Sequence, residues 1–188
     1  MTGLFLAFLA SLLAGAGARD SVTLADMARA QGARPAALVV AILTCAITSA
    51  GAAWASLAVA PMLNDDARLF LAGLALVFAG GESLLLGRPR APNEPTRSLA
   101  ALAIVMAAHQ LTDAARFLVF AIALAANAPV AAALGGTAAG ALLLALASSA
   151  PDLLAARQLP LARRAIGAVL LVIGIGLAFS VVDFSRGS

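Results

Sequence analysis

Residues 36–60 contain no charged side chain, and as a helix they reach about 37 Å, more than the roughly 30 Å of hydrocarbon in a bilayer. A segment apolar on every side belongs either in the core of a large protein or in lipid. Runs of similar character recur at residues 67–86, 99–126, 130–150 and 161–182, and a chain of 188 residues has no interior large enough to hide so many such helices. Charged residues make up 11% of the chain, where a soluble domain has about a quarter. Mean hydropathy is +1.02. The expected partner is therefore the lipid bilayer, and the expected class an all-α membrane protein.

All twelve basic residues are arginines, giving a net charge of +3. They stand singly or in small groups between apolar runs, so no continuous basic surface follows and nucleic acid is not an expected partner. The single cysteine, Cys45, lies within an apolar run, where it permits no internal disulfide and reads as a small packing residue.

A first hydrophobic run covers residues 4–18, too short to span alone; continued through residues 21–28 it completes or overshoots a span, with Arg19 and Asp20 inside it. No basic residue precedes Arg19, so the run is read as mature protein rather than as a secretory signal. Gly15 and Gly17 invite a break or a close backbone approach there. Gly32, Arg34 and Pro35 end this segment and start the next, with Pro35 well placed at a helix N-terminus. Asn64, Asp65 and Asp66 cap the third segment, whose far end carries Glu82, reaching interface water or pointing inward. Residues 87–98 form a Pro- and Arg-rich loop. Residues 99–126 amount to about 42 Å of helix, which implies tilt, a kink or a break. Asn127 and Pro129 stop that run, and residues 151–160 link the fifth segment to the last.

The chain reads as two halves, residues 1–87 and residues 99–188, whose segments superpose under a shift of 95 positions, with residues 88–98 as a cytoplasmic linker inside one membrane domain. The match lies in segment order and spacing, for example Arg68 opposite Arg163. Three spans per half is an odd number, so the halves insert with opposite orientation: six transmembrane helices as two inverted three-helix repeats. Arginine placement gives the same topology. Arg29 and Arg34, then Arg88, Arg90 and Arg97, then Arg157, Arg163 and Arg164 fall around alternate loops, which the positive-inside rule makes cytoplasmic, with both termini outside.

Within residues 99–126, the stretch from His109 to Arg116 holds a histidine, an amide, a hydroxyl, a carboxylate and a guanidinium. A carboxylate at mid-bilayer costs roughly 2.5–3.5 kcal/mol, so Asp113 must face protein or a water-filled cavity. In a continuous helix His109, Asp113 and Arg116 share one face, which makes Arg116 the expected charge partner of Asp113. The shift of 95 sets residues 110–113 opposite residues 15–18, and corresponding segments of inverted repeats commonly meet near the midplane to form a substrate site.

Residues 15–20 and 110–115 resemble the paired motif of the GDT1 family, membrane proteins regarded as manganese or calcium transporters that exchange the cation for protons. The family carries Glu-x-Gly-Asp-(Lys/Arg)-(Thr/Ser) in the first helix of each half. Gly17, Arg19 and Asp113 keep the family residue type, whereas Gly15 and Gln110 replace its glutamates, Ala18 its first aspartate and Thr112 its second glycine. The resemblance implies a divalent cation/proton antiporter exporting manganese or calcium across the bacterial inner membrane. Asp113 would be the acid that alternates between ion and proton, joined by Gln110, Thr112, His109 and a displaced Asp20, with Glu82 in a second tier. Mn2+ or Ca2+ would be cargo, and no cofactor is expected to be permanently bound.

Two other readings stand beside this one. A transporter of the same architecture can carry a different small solute or a monovalent ion, and Arg19 with Arg116 then makes an anionic or zwitterionic cargo reasonable. A non-transporting scaffold uses the same polar residues only to hold helices together. Nothing in the pattern points to an enzyme, since there is no nucleophile with an adjacent base, no His/Cys ligand cluster and no phosphate-cradling glycine loop.

Overall fold

The computed structural model describes residues 2–85, 97–155 and 159–186, and the chain is an all-helical, multi-pass, membrane-like bundle. The helices are α1 (Thr2–Gly15), α2 (Arg19–Gln31), α3 (Pro35–Val59), α4 (Asp65–Leu85), α5 (Leu99–Leu111), α6 (Ala114–Ala125), α7 (Pro129–Ser149) and α8 (Leu159–Arg186), with single 3-10 turns at Ala60–Met62 and Pro151–Ala155. Among the described residues, four helices are each long and apolar enough to cross a membrane. The pairs α1/α2 and α5/α6 are each broken and bent, by 57° and 56°, and counting each pair as one span gives up to six. The order bent, long, long thus occurs twice. The 87–98 loop and Arg157 lie outside the described residues, apart from Arg97 and Ser98.

Burial is inverted relative to a soluble protein. Ala7, Ala14, Ala41, Ala79, Ala132 and Ala147 are fully buried, while Ile47, Trp54, Ile104 and Val172 are 69–72% exposed. Lipid solvates large aliphatic side chains as well as a protein core does, so helix contacts are won by small residues that let backbones approach. Gly80 lies against Gly167 O and Gly73 against Gly174 O, so α4 and α8 pack antiparallel along two glycine pairs spaced seven residues apart. Gly3 against Ala128, Gly135 against Leu4 and Gly15 against Leu143 show α1 and α7 running side by side in one direction. Gly140 meets Cys45 and Gly136 lies by Ser49, so α3 and α7 are antiparallel.

The long helices α3 and α7 pack against both broken pairs. Leu24, Ala41, Met106 and Leu144 join α2, α3, α5 and α7 in one cluster; Ala7, Ala53, Val119 and Ala132 join α1, α3, α6 and α7 in another. At one end of the bundle Arg29 bonds Asp152 (3.2 Å) and Pro151 O, and Arg34 donates to Arg97 O (3.3 Å). The α2–α3 turn, the start of α5 and the α7–α8 connection therefore share that end.

Candidate functional site

Both breaks are built from backbone chemistry that the sequence supplies. After α1, Gly17 takes φ +75°, a region open to glycine at little cost, and Ala18 N closes the turn on Gly15 O at 2.9 Å. At the second break Asp113 leaves helical geometry (φ −85°, ψ 145°) and becomes the N-cap of α6, its Oδ2 accepting from Ala115 N at 3.4 Å. The two breaks touch: Arg19 Nη2 donates to Thr112 Oγ1 at 2.7 Å, across 93 residues of sequence. Each break sets the N-terminus of a half-helix inside the bundle, where its positive partial charge and leading N–H groups are met by carboxylates.

Three buried carboxylates gather around these breaks. Asp20 Oδ1 accepts from its neighbour Ser21 N (2.6 Å), and Oδ2 accepts from Gln110 Nε2 (3.2 Å). Gln110 is fully buried; Nε2 also donates to Ala41 O (3.3 Å), and Oε1 accepts from Thr48 (3.4 Å). Glu82 reaches in from α4, its Oε2 accepting from Ala114 N at 3.3 Å and from Arg163 Nη2 at 2.6 Å. The same Arg163 Nη2 donates to Asp113 Oδ1 at 3.1 Å, so one guanidinium bridges two acids from two elements. Arg19 Nε stands 3.7 Å from Glu82 Oε1, the weaker second contact on that carboxylate. Asp20, Glu82, Asp113 and Arg163 are all at most 7% exposed, and charges so removed from water are tolerable only when paired and hydrogen-bonded.

Several expectations change here. Arg116 is not the partner of Asp113; the i,i+3 argument assumed a continuous helix, and the break turns Asp113 toward Arg163. Arg116 instead projects to α3, bonding Ser49 Oγ and, at 3.2 Å, Cys45 Sγ. For the same reason His109 does not share a face with Asp113. Its Nδ1 lies 3.4 Å from Thr23 Oγ1, whose hydroxyl donates to Arg19 O at 2.7 Å. Thr112 serves as an acceptor for Arg19 while donating to Ala108 O at 3.0 Å. Arg19, Thr112, Glu82 and Asp113 are joined through Arg163 into one network, and Asp20 with Gln110 forms a second buried pair at the same breaks, with Gly17 at the first turn. Glu82 points inward, not to interface water.

Arg163 is the member that sequence reasoning missed. Counted among loop arginines, it is 7% exposed in the first turns of α8. A signal was present: Glu82 in an apolar segment, if it points inward, requires a cation from elsewhere in the fold. Among the described residues, no three His, Cys, Asp or Glu side chains stand in an arrangement ready to hold a metal ion. A cation entering this cluster would meet carboxylates already occupied by Arg163 and Gln110, and binding would require those contacts to exchange. No family model, no curated protein and no solved structure matches the chain.

Proposed function

We infer that the protein is a membrane transporter of a small cation, built as two inverted three-span repeats whose first spans are the broken pairs α1/α2 and α5/α6. The observation that carries this reading is Arg163 bridging Glu82 and Asp113 at the helix breaks. Buried carboxylates are costly, and a tethered guanidinium there acts as a resident stand-in for cargo, holding the acids together while the site is empty of ions. An arriving cation replaces Arg163, and departure of the cation lets Arg163 or protons return. Support for the inverted arrangement comes from the parallel course of α1 and α7, the antiparallel α4 and α8, and the meeting of both breaks through Arg19 and Thr112.

The GDT1 resemblance makes Mn2+ or Ca2+ the first cargo to test, exchanged for protons across the bacterial inner membrane. Such hard cations take oxygen ligands, which Asp20, Asp113, Glu82, Gln110 and Thr112 offer. Asp20 favours this reading, because it sits on Gln110, the position at which the family has a glutamate. Proteoliposomes loaded with a metal-sensitive dye, under an imposed proton gradient, provide the test. Saturable manganese or calcium flux is expected in the wild type and loss of it in Asp113→Asn. Flux equal to that of empty liposomes for both metals would sink the reading.

A further inference from the structure

Arg116 is 5% exposed, yet among the described residues no carboxylate lies within ion-pairing distance of it. Its guanidinium is held between α3 and α7. It bonds Ser49 Oγ and Cys45 Sγ, both neutral, and Gly140 leaves it room, since a Cβ there would lie 3.4 Å from Nη2. Nε has no acceptor. Three costs therefore coincide: the charge is buried, it has no counter-ion, and it stands third in α6, at the helix end whose own partial charge is already positive. A neutral side chain would occupy this place without any of them.

The charge does reach the acids at the second break. Glu82 Oε2 and Asp113 Oδ2 accept from the first two N–H groups of the same helix, those of Ala114 and Ala115. Arg116 follows directly in sequence, close enough for its charge to act on Asp113. Cys45, which it bonds, also lies within the field of Asp20. Between buried groups such interactions are screened little by salt. Arg116 differs from Arg163 in one respect. Arg163 pairs with the acids and, in the transport proposed above, gives way to the arriving ion, whereas Arg116 touches neither acid and is fixed from two sides, so its charge stays when the ion is bound.

We propose that Arg116 is the fixed countercharge of the cation site, weakening the bound ion in proportion to the ion's charge and so allowing its release. The proposal rests on the cation reading and adds to it what limits affinity. By Coulomb's law the opposition is twice as large for a divalent ion as for a monovalent one, and larger again by half for a trivalent one. Conduction through a membrane site needs binding favourable enough to fill it and weak enough to empty it. Buried carboxylates without this opposing charge would hold a divalent cation too tightly to let it go.

Binding of radioactive Ca2+ to the full chain in phosphatidylcholine nanodiscs, and its displacement by La3+, an ion of nearly the same radius, tests the proposal. Arg116→Gln is expected to tighten Ca2+ binding at least about tenfold, and La3+ binding by the three-halves power of that factor, roughly thirtyfold, because the two ions differ in charge alone. Arg116→Lys should retain the weak binding. Ser49→Asp, which gives Arg116 a carboxylate while leaving it in place, should tighten both ions in the same proportion, and it carries the test should Arg116→Gln fail to fold. A residue that only ties α6 to α3 would leave affinity unchanged or reduce it on substitution. Unchanged or weaker Ca2+ binding in folded Arg116→Gln or Ser49→Asp therefore overturns the assignment, and so do equal gains for Ca2+ and La3+. Absence of saturable Ca2+ binding in the wild type and in all three variants would instead remove the cation reading, and this assignment with it.

Discussion

Glu82 and Asp113 depend on a residue that neither neighbours in sequence, and substitution should expose that dependence. Removing Arg163 by Arg163→Gln leaves two buried carboxylates short of their main cation, a change of the kind that costs roughly 3–5 kcal/mol. Glu82→Gln is expected to be milder, because Arg163 keeps Asp113 at 3.1 Å. The double variant should recover part of the loss, since a neutral amide in place of the Glu82 carboxylate no longer needs the guanidinium. Thermal unfolding of the three purified proteins in detergent forms the cycle, and strict additivity would show that the pair is not coupled. Asp113 separates a cap from a charge in a similar way. Asp113→Asn retains a side-chain acceptor for Ala115 N, whereas Asp113→Ala loses it and should cost a further ~1 kcal/mol. If Asn and Ala melt alike, the cap contributes nothing and the role of Asp113 lies in its charge alone.

At the scale of elements, glycine spacing decides how closely α4 and α8 approach. A Cβ at Gly80 would lie 2.6 Å from Gly167 O and 2.7 Å from Leu171 N, backbone atoms that cannot swing away. Gly80→Ala should therefore destabilise by about 1–3 kcal/mol through separation of the helices. Gly81→Ala next to it meets nothing within 4 Å and should be neutral or stabilising by up to about 1 kcal/mol, the helix-propensity gain. Circular dichroism melts of the two variants make the comparison, and equal effects would mean that the α4–α8 contact is not close-packed as described. The elements themselves were legible because hydropathy records them locally: charge-free length gave α3 and α7, excess length in residues 99–126 called for tilt, a kink or a break, and Gly15 and Gly17 for a break or a close approach, and in both places the chain breaks. What sequence could not supply was which way side chains turn once a helix breaks. The Asp113–Arg116 pairing failed for that reason, and Arg163 escaped notice because its partners lie 81 and 50 positions away. The glycine pairs 73/80 and 167/174 were a readable sign of repetition, offset by 94, that the comparison of segment lengths passed over.

For the whole molecule, the arrangement of ends is the property that transport by inverted repeats requires. Arg29 to Asp152 and Arg34 to Arg97 O tie three connections to one end, whereas the antiparallel α3 and α7 carry the α3–α4 and α6–α7 connections to the other. The proposed topology puts the first end in the cytoplasm, by the positive-inside rule, because its connections hold most of the arginines. Single cysteines placed in a Cys45→Ser background can test both statements, since Cys45 is buried and its removal leaves no other thiol. Ser98→Cys and Asp152→Cys should resist a membrane-impermeant maleimide added to intact cells and react after permeabilisation. Asn64→Cys and Ala126→Cys, both at exposed positions, should react without permeabilisation. Reversal of all four would keep the architecture and invert its orientation, which would turn the proposed export into uptake. Labelling of Ser98→Cys and Asp152→Cys from opposite sides would instead remove the inverted-repeat arrangement, because the two halves would no longer present their connections to a shared face.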